Sequence, residues 1–291
     1  MRRKTRRIIA FYIFILPWLV GFLLLMVYSV AFLFVGSFTR YSLIAPMEFI
    51  GLDNYLHLIK DPLFWQSLKV TMIFIGIGVP GSIVFALFLA ILLNVRLPMR
   101  GIFRSLFFLP AILLGSVAVS VLWTWMYDKD YGIINYLLSF IGIQGPAWLK
   151  SETWALPSMI IMYLWGCGQA MVIFLAGLQG IPNQFYEAAS IDGAGWKQKF
   201  WYITIPMLSP FILFNLITGI IQAVMVFTPA YVMTQGGPNY STLFYLYYIY
   251  TNAFKYLKMG YGCALSVVLF GVLFLLTLSF LRIARKWTWY G

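Results

Sequence analysis

The segment "YEAASIDGAGWKQKFWYITIPM" occupies residues 186–207 and separates two long apolar runs. It is rich in alanine and glycine, and it carries two acids, Glu187 and Asp192, together with two lysines. Apolar runs of about 20 residues are long enough to cross the hydrocarbon core of a bilayer. The sequence therefore predicts a polar loop between two membrane-spanning helices.

The composition supports a membrane protein. Of the 291 residues, 62% are hydrophobic and only 10% are charged, whereas soluble domains carry about 25% charged residues. The mean hydropathy is +0.88. The net charge of +12 is typical of basic residues that flank membrane spans on the cytoplasmic side, and this interpretation is favoured over nucleic-acid binding.

Six apolar segments are long enough to span a membrane. The predicted spans are residues 8–35, 69–93, 104–127, 155–178, 207–232 and 261–281. Each is expected to be a helix, because backbone polar groups in lipid must pair within their own segment. The first run is too long for the hydrophobic part of a signal peptide, so it is predicted to be retained. The expected fold class is an all-α polytopic membrane protein, with residues 1–291 forming one transmembrane domain.

The distribution of Lys and Arg predicts the orientation. With the N-terminus inside, 13 of the 20 basic residues face the cytoplasm and seven face outward. Glu187 and Asp192 are then the two acids on the inner side. The positive-inside rule favours both termini in the cytoplasm, which makes the loop 179–206 between spans four and five cytoplasmic. The inner basic set is Arg2, Arg3, Lys4, Arg6, Arg7, Arg96, Arg100, Arg104, Lys197, Lys199, Arg282, Arg285 and Lys286.

The loop contains a predicted short helix. Pro182 blocks continuation of the preceding helix, and Asn183 is a good N-cap for a new one. Glu187 is expected near its first turn, where a negative charge favours the helix dipole. Gly193 and Gly195 should end the helix after about two and a half turns. A helix this short needs packing in order to be stable, either against the cytoplasmic ends of its own spans or against a partner.

Several kinds of chemistry lack the residues that they need. The interiors of the predicted spans contain no acidic, basic or histidine residue, which counts against proton- or ion-coupled transport. The dipeptide Gly-Lys does not occur, so this chain has no P-loop for a nucleotide. Two cysteines and one histidine predict neither a disulfide framework nor a metal site. The outer-loop acids Asp128, Asp130 and Glu152 are expected to be solvated rather than catalytic.

The loop resembles the hallmark segment of inner-membrane permease subunits of binding-protein-dependent ABC importers. That pattern is Glu-Ala-Ala, three residues, Gly, nine residues and then Ile-x-Leu-Pro. Here Glu187-Ala188-Ala189 is followed at the matching spacing by Gly193 and by Ile203-Thr204-Ile205-Pro206, with Ile205 in place of the leucine. Two outer segments, "FIGLDNYLHLIKDPLFWQSL" (49–68) and "MTQGGPNYSTLFYLYYIYTNAFKYLKMGYGCALS" (233–266), resemble the carbohydrate-uptake branch, the MalF/UgpA-like permeases.

The resemblance implies a permease of the bacterial plasma membrane that is driven by other subunits and is not itself an enzyme. A cytoplasmic ATPase would bind a coupling helix formed by Glu187, Ala188, Ala189, Asp192 and Gly193. The expected partners are two ATPase domains that hold ATP and Mg²⁺, a second and distinct permease subunit, an extracellular solute-binding protein, a carbohydrate substrate and membrane lipid. No cofactor is expected on this chain.

The resemblance also implies a substrate path along the fifth span. Gln222, Ala223 and Val226 fall at lining positions, upstream of the Gly236-Gly237-Pro238 loop. Gln222 is the best polar candidate, although an interhelical hydrogen bond explains it equally well. Two other functions stay open: an ion-coupled secondary carrier, and an intramembrane enzyme acting on lipid-linked sugars.

Overall fold

The computed structural model describes residues 2–95 and 99–284, which are mostly helical. Arg96, Arg285 and Lys286, counted above among the inner basic residues, lie outside the described residues. The chain divides into two compact units. The first unit comprises residues 2–61 with 249–272, and the second comprises residues 62–248 with the end of the last helix.

The first unit begins with a long apolar helix. Helix α1 (Arg2–Gly21) continues through a π-helical turn (Phe22–Val27) into α2 (Tyr28–Ser37). The apolar stretch Ala10–Ser37 is 28 residues long, which is enough to cross a bilayer.

A short hairpin follows this span, and it departs from the all-α prediction. Strands β1 (Thr39–Arg40) and β2 (Glu48–Phe49) pair antiparallel, with Thr39 opposite Phe49. Helix α3 (Asp53–Lys60) comes next. Nδ2 of Asn54 donates to the backbone oxygens of Ser37 and Thr39, at 2.9 Å each, and so ties α3 to the end of the span.

Helix α4 (Pro62–Asn94) is the longest element, and it opens the second unit. Its apolar face packs on a later helix through a cluster of buried side chains that belong to both. The cluster contains Ala86, Leu89, Ala90, Leu93, Cys167, Met171, Phe174 and Leu175. Small alanines on α4 let the two helices approach closely, as is common where helices pack in membranes.

Two of the predicted spans are interrupted rather than straight. Helices α5 (Arg100–Leu113) and α6 (Val117–Met126) replace the span 104–127 and meet at 104°. Gly115 and Ser116 lie at the break, where Oγ of Ser116 caps α6 by accepting from N of Val119 at 3.3 Å. Helix α7 (Ile133–Ser139) follows.

The span predicted at 155–178 is interrupted in a similar way. Helices α8 (Ala155–Trp165) and α9 (Gly168–Gly180) meet at 44° around Gly166 and Cys167. Among the described residues, four helices are long and apolar enough to cross a membrane, or up to six if each bent pair is counted as one span.

The fifth predicted span begins earlier and ends earlier than expected. Helix α10 (Asn183–Ile191) is separate, but α11 (Trp196–Lys199), a π-helical turn (Phe200–Thr204) and α12 (Ile205–Val224) form one helical stretch. Pro206 lies just after the π-helical turn, and such a local adjustment accommodates a proline within a continuous membrane helix. The prediction 207–232 is wrong at its C-terminal end, because the helix stops at Val224.

The chain after α12 is irregular before the last span. A π-helical turn (Ala230–Thr234), α13 (Tyr245–Tyr250) and a further π-helical turn (Thr251–Lys255) lead to α14 (Met259–Ala284). The apolar part of α14, Met259–Arg282, is 24 residues long, and it contains the predicted span 261–281.

Candidate functional sites

Helix α10 carries the residues expected to couple to a partner, but its first turn differs from the prediction. Pro182 takes the N-cap position with an extended backbone, and no side chain caps the helix. Asn183 is already the first helical residue, so the predicted cap at Asn183 is wrong. Glu187 is the fifth of nine residues rather than part of the first turn. Its charge therefore gains little from the helix dipole, which acts mainly in the terminal turn.

The C-terminal end of α10 is closed by the backbone around Gly193. Gly193 has φ +77°, which is in the left-handed region. Its N–H donates to O of Ser190 at 3.1 Å, and N–H of Ala194 donates to O of Ala189 at 2.8 Å. This pair of bonds is the Schellman motif, in which glycine is favoured because it has no Cβ. The glycine of the hallmark pattern thus has a structural reason at this position.

The coupling candidates are accessible. Glu187, Ala188, Asp192 and Gly193 are exposed, and Ala189 is half-buried. Among the described side chains, neither acid of this set forms an ion pair. Ile191, on the same short helix, is 87% exposed. The surface of α10 is therefore open to contact from another protein.

Side-chain hydrogen bonds tie α10 to the start of the fifth span. The hydroxyl of Tyr186 lies 2.9 Å from Oγ1 of Thr204, which is buried. Nζ of Lys199 donates to Oγ of Ser190 at 2.7 Å, and that hydroxyl donates to O of Tyr186 at 2.7 Å. These bonds give α10 a direct connection to the helical stretch that leads into the membrane.

A cavity of about 270 Å³ opens in the second unit where three helical stretches are interrupted. Its walls include Leu114 and Gly115 at the α5–α6 break, Gly166 at the α8–α9 break and the irregular residues 225–229 after α12. Non-helical backbone at membrane depth is tolerated where it is buried in protein or lines a cavity. Interrupted helices are also a feature of substrate sites in transporters. None of the lining residues is charged.

Two amide side chains meet at the wall of this cavity. Nε2 of Gln222 donates to Oε1 of Gln169 at 3.2 Å. Both residues line the cavity, as does Val226, and the interhelical hydrogen bond expected as one alternative for Gln222 is present. Ala223 is 0% exposed and is not among the lining residues. Its side chain lies behind the wall in this conformation.

The sequence analysis missed the helix breaks and the residues around them. Gly115-Ser116 and Gly166-Cys167-Gly168 are breaker signals within apolar runs, and each was included in a continuous span. Tyr163 was also missed. Its hydroxyl donates to O of Gly219 at 3.2 Å and joins α8 to α12 beside the cavity.

The carboxylate of Asp128, one of the acids expected in an outer loop, stabilises a turn. Oδ1 of Asp128 accepts from N of Tyr131 at 3.0 Å and from N of Asp130 at 2.9 Å. These backbone bonds, with a smaller contribution from Lys150, lower the pKa of Asp128. A carboxyl held in its ionised form suits a turn and not a general acid. Within the described residues, no group of three His, Cys, Asp or Glu could hold a metal ion.

Comparisons of the sequence with known proteins identify its relatives. The profile of the family described as "Binding-protein-dependent transport system inner membrane component" matches residues 71–287. The chain is 42% identical over 296 residues to the probable ABC transporter permease protein YesP of Bacillus subtilis (strain 168), covering 99% of this chain and 96% of that protein.

Two further relatives have names that state what they transport. The sulfoquinovosyl glycerol transport system permease protein SmoG of Agrobacterium fabrum is 38% identical over 265 residues, covering 90% of this chain and 86% of that protein. The trehalose/maltose transport system permease protein MalF of Thermococcus litoralis is 34% identical over 279 residues, covering 94% of this chain and 93% of that protein.

The fold is also found in a solved structure. A chain of a bacterial ABC transporter involved in the import of the acidic polysaccharide alginate superposes with a TM-score of 0.83 at 21% identity. The match covers 98% of each chain. The family match, the relatives and this fold agree, and the chain therefore belongs to the family of binding-protein-dependent transport system inner membrane components.

Proposed function

We propose that this protein is the permease subunit of an ATP-driven ABC importer that takes up a sugar or oligosaccharide. The observation that carries the proposal is the exposed helix α10, which presents two unpaired carboxylates. The Tyr186–Thr204 hydrogen bond links this helix to the helical stretch that leads into α12, which forms part of the cavity wall. Family membership and the sugars named for two relatives support the same function. The chain itself catalyses no reaction, and ATP with Mg²⁺ is held by ATPase partners.

In this proposal the whole chain, residues 1–291, acts as one multi-pass domain of the bacterial plasma membrane. Each bent helix pair counts as one span, which makes six, and both termini face the cytoplasm. The excess of basic residues on the side of the N-terminus supports this orientation. The loop 179–206 then faces the cytoplasm, and α10 is the coupling helix.

The complete transporter contains further subunits. A second, homologous permease completes the translocation path, and two cytoplasmic ATPase domains bind the coupling helices. A solute-binding protein delivers the sugar from outside. The absence of charged residues among the cavity walls is consistent with a driving force that enters through α10 instead of through a bound ion.

The proposed mechanism follows the connections of α10. Closure of the ATPase dimer displaces Glu187, Ala188, Ala189, Asp192 and Gly193 together as one unit. The Tyr186–Thr204 and Lys199–Ser190 bonds pass this displacement to the stretch that leads into α12. The other end of α12 carries Gln222 at the cavity. Movement of α12 then changes the side to which the cavity opens.

The cavity suits an uncharged, polyhydroxylated ligand. Phe227 offers an apolar face for the C–H groups of a sugar ring, and Gln169 and Gln222 offer amides for its hydroxyls. Ligand sites typically combine an apolar lining with a few placed polar groups. The proposed path therefore includes Gln222 and Val226 at the wall, with Ala223 packed behind them.

A charge reversal on α10 tests the function. The Glu187→Lys variant should lower sugar uptake by at least roughly tenfold, because it places a cation where the ATPase would meet a carboxylate. The tagged chain should co-purify with an ATPase, and the variant should recover less of it. Glu152→Lys, an exposed acid in the outer loop, is the matched control and should leave both measurements unchanged. Normal uptake by Glu187→Lys would exclude this role for α10.

A further inference from the structure

A second, smaller chamber lies next to the cavity in the second unit. It measures about 40 Å³, and it is enclosed by α4, the α8–α9 break and α12. It shares Leu114, Tyr163, Gly166, Gln169 and Gln222 with the larger cavity. The two chambers are therefore adjacent, and the Gln169–Gln222 pair is part of the wall that they share. The remaining walls are Val79, Ser82, Ile83, Cys167, Ala170, Asn215, Thr218 and Gly219.

Asn215 is an unusual wall residue. It is only 4% exposed, and its Nδ2 has no hydrogen-bond partner among the described residues. A buried amide without a partner is destabilising, and such groups are rare in folded proteins. The neighbouring hydroxyl of Thr218 donates to the backbone oxygens of Phe214 and Asn215, and it does not accept from this Nδ2. A donor is thus left available at the wall of a chamber.

The position of Asn215 along α12 shows toward which end of the helix the small chamber extends. Asn215 precedes Gln222 by seven residues, which is about two helical turns or roughly 10 Å. It therefore lies on the side of the large cavity that is nearer to Thr204 and α10. Asn215, Thr218, Gly219 and Gln222 line one face of the helix at helical spacing. A polar face of this kind continues the cavity toward the end of the span that carries the coupling helix.

We propose that Asn215 is a hydroxyl-binding residue of the sugar path, with its Nδ2 donating to one hydroxyl oxygen of the bound sugar. The proposal rests on the function proposed above. A chamber of about 40 Å³ admits a single hydroxyl group or one water, whose share of liquid volume is about 30 Å³. It does not admit a sugar ring. The ring therefore occupies the larger cavity, and one exocyclic hydroxyl passes the glutamine pair to reach Asn215.

Sugar uptake by the reconstituted complex tests the proposal. The probes are labelled trehalose, maltose and sulfoquinovosyl glycerol, together with a library of other mono- to tetrasaccharides. Asn215→Leu and the smaller Asn215→Ala should each lower the uptake rate per assembled complex roughly three- to tenfold, the effect of losing one hydrogen bond. Ser266→Ala on α14 is the control. The Ser266 hydroxyl donates to the backbone oxygen of Gly262, and the residue lines neither chamber, so uptake should be unchanged.

Deoxy analogues distinguish a contact from a structural role. For the sugar that is transported, one monodeoxy analogue should be taken up equally by the wild type and by Asn215→Ala. With this analogue the hydrogen bond is already absent in the wild type, so removing its donor in Asn215→Ala causes no further loss. Every other analogue should keep the full difference between wild type and variant. Additive losses for all analogues would overturn the assignment of Asn215.

The failure of this inference and the failure of the proposed function are distinguishable. Unchanged uptake by both Asn215→Leu and Asn215→Ala, with uptake by the wild type intact, would overturn the inference alone. No uptake of any library sugar by the wild-type complex would overturn the proposed sugar function and this inference with it.

Discussion

Gly193 determines how the exposed helix α10 ends. Its φ of +77° allows Ala194 to donate back to Ala189, which closes the last turn. An ideal Cβ built at Gly193 meets no atom within 4 Å, so space is not the restriction. The restriction is the backbone conformation, which costs an L-residue with a side chain about 1 kcal/mol or more. A glycine here keeps the surface of α10 in one defined shape.

This restriction predicts the effect of Gly193→Ala. The last turn of α10 should open more often, and amide exchange at Gly193 and Ala194 should become about fivefold faster, as follows from a cost of about 1 kcal/mol. Hydrogen-exchange mass spectrometry over this loop is the measurement. Gly195→Ala is the matched control, because Gly195 has φ −73° and its Cβ would make only an ordinary contact with Gln198. Equal exchange in the two variants would contradict the argument.

At the residue scale, the sequence predicted the end of α10 better than its beginning. Glycine punctuation is a local signal, and the helix does end just before Gly193. The cap at Asn183 was wrong, because Pro182 already has the extended backbone of an N-cap residue and shifts the helix start by one position. Because Asn183 is the first helical residue, Glu187 lies in the middle of α10. Single-residue shifts of this kind depend on backbone angles that composition does not specify.

The connection between α10 and the fifth span is a property of elements, not of single residues. The pair Tyr186–Thr204 joins side chains 18 positions apart. No pattern in the sequence predicts this pair, because it depends on how the chain turns between Gly193 and Trp196. If α10 receives force from an ATPase, this bond is one of the routes by which the force reaches α12.

The Tyr186→Phe variant tests that route. It removes one hydroxyl and leaves the ring, so α10 should keep its surface and its binding to the ATPase. The number of sugar molecules transported per ATP hydrolysed should fall about two- to tenfold, as expected for the loss of one hydrogen bond in the linkage. Tyr202→Phe is the matched control, since Tyr202 is 80% exposed on the helical stretch that carries Thr204. A coupling ratio that is unchanged in Tyr186→Phe would remove this bond from the mechanism.

The interrupted helices show where hydropathy alone misleads at the element scale. Gly115-Ser116 and Gly166-Cys167 lie inside apolar runs, and a sliding window averages over them. Gly115 and Gly166 line the large cavity, where irregular backbone is tolerated because it is not exposed to lipid. The C-terminal end of α12 at Val224 has the same explanation, since residues 225–229 form part of the wall of that cavity. Breaker residues within spans are therefore a usable signal for the cavity.

For the whole molecule, the distribution of charge was the most informative signal. It favours a cytoplasmic position for the loop 179–206, and it does so without knowledge of any contact. It does not establish how many times the chain crosses the membrane. The described residues contain four straight candidate spans and two bent pairs, and a bent pair is compatible with either a broken span or a re-entrant segment. Orientation and crossing number must be tested together.

This test uses two exposed positions, one before and one after the α8–α9 pair in the sequence. Tyr131 is 94% exposed after α6, and Ile191 is 87% exposed at the end of α10. In intact cells, a membrane-impermeant maleimide should label the Tyr131→Cys variant at least about tenfold more strongly than the Ile191→Cys variant. After the membrane is permeabilised, both should be labelled equally. The unsubstituted chain is the background control, since its Cys167 is buried and its Cys263 is partly buried.

If both variants were labelled from the same side, the α8–α9 pair would not cross the membrane. An outward-facing Ile191 would place α10 beyond the reach of any cytoplasmic ATPase, and the coupling mechanism would fail with it.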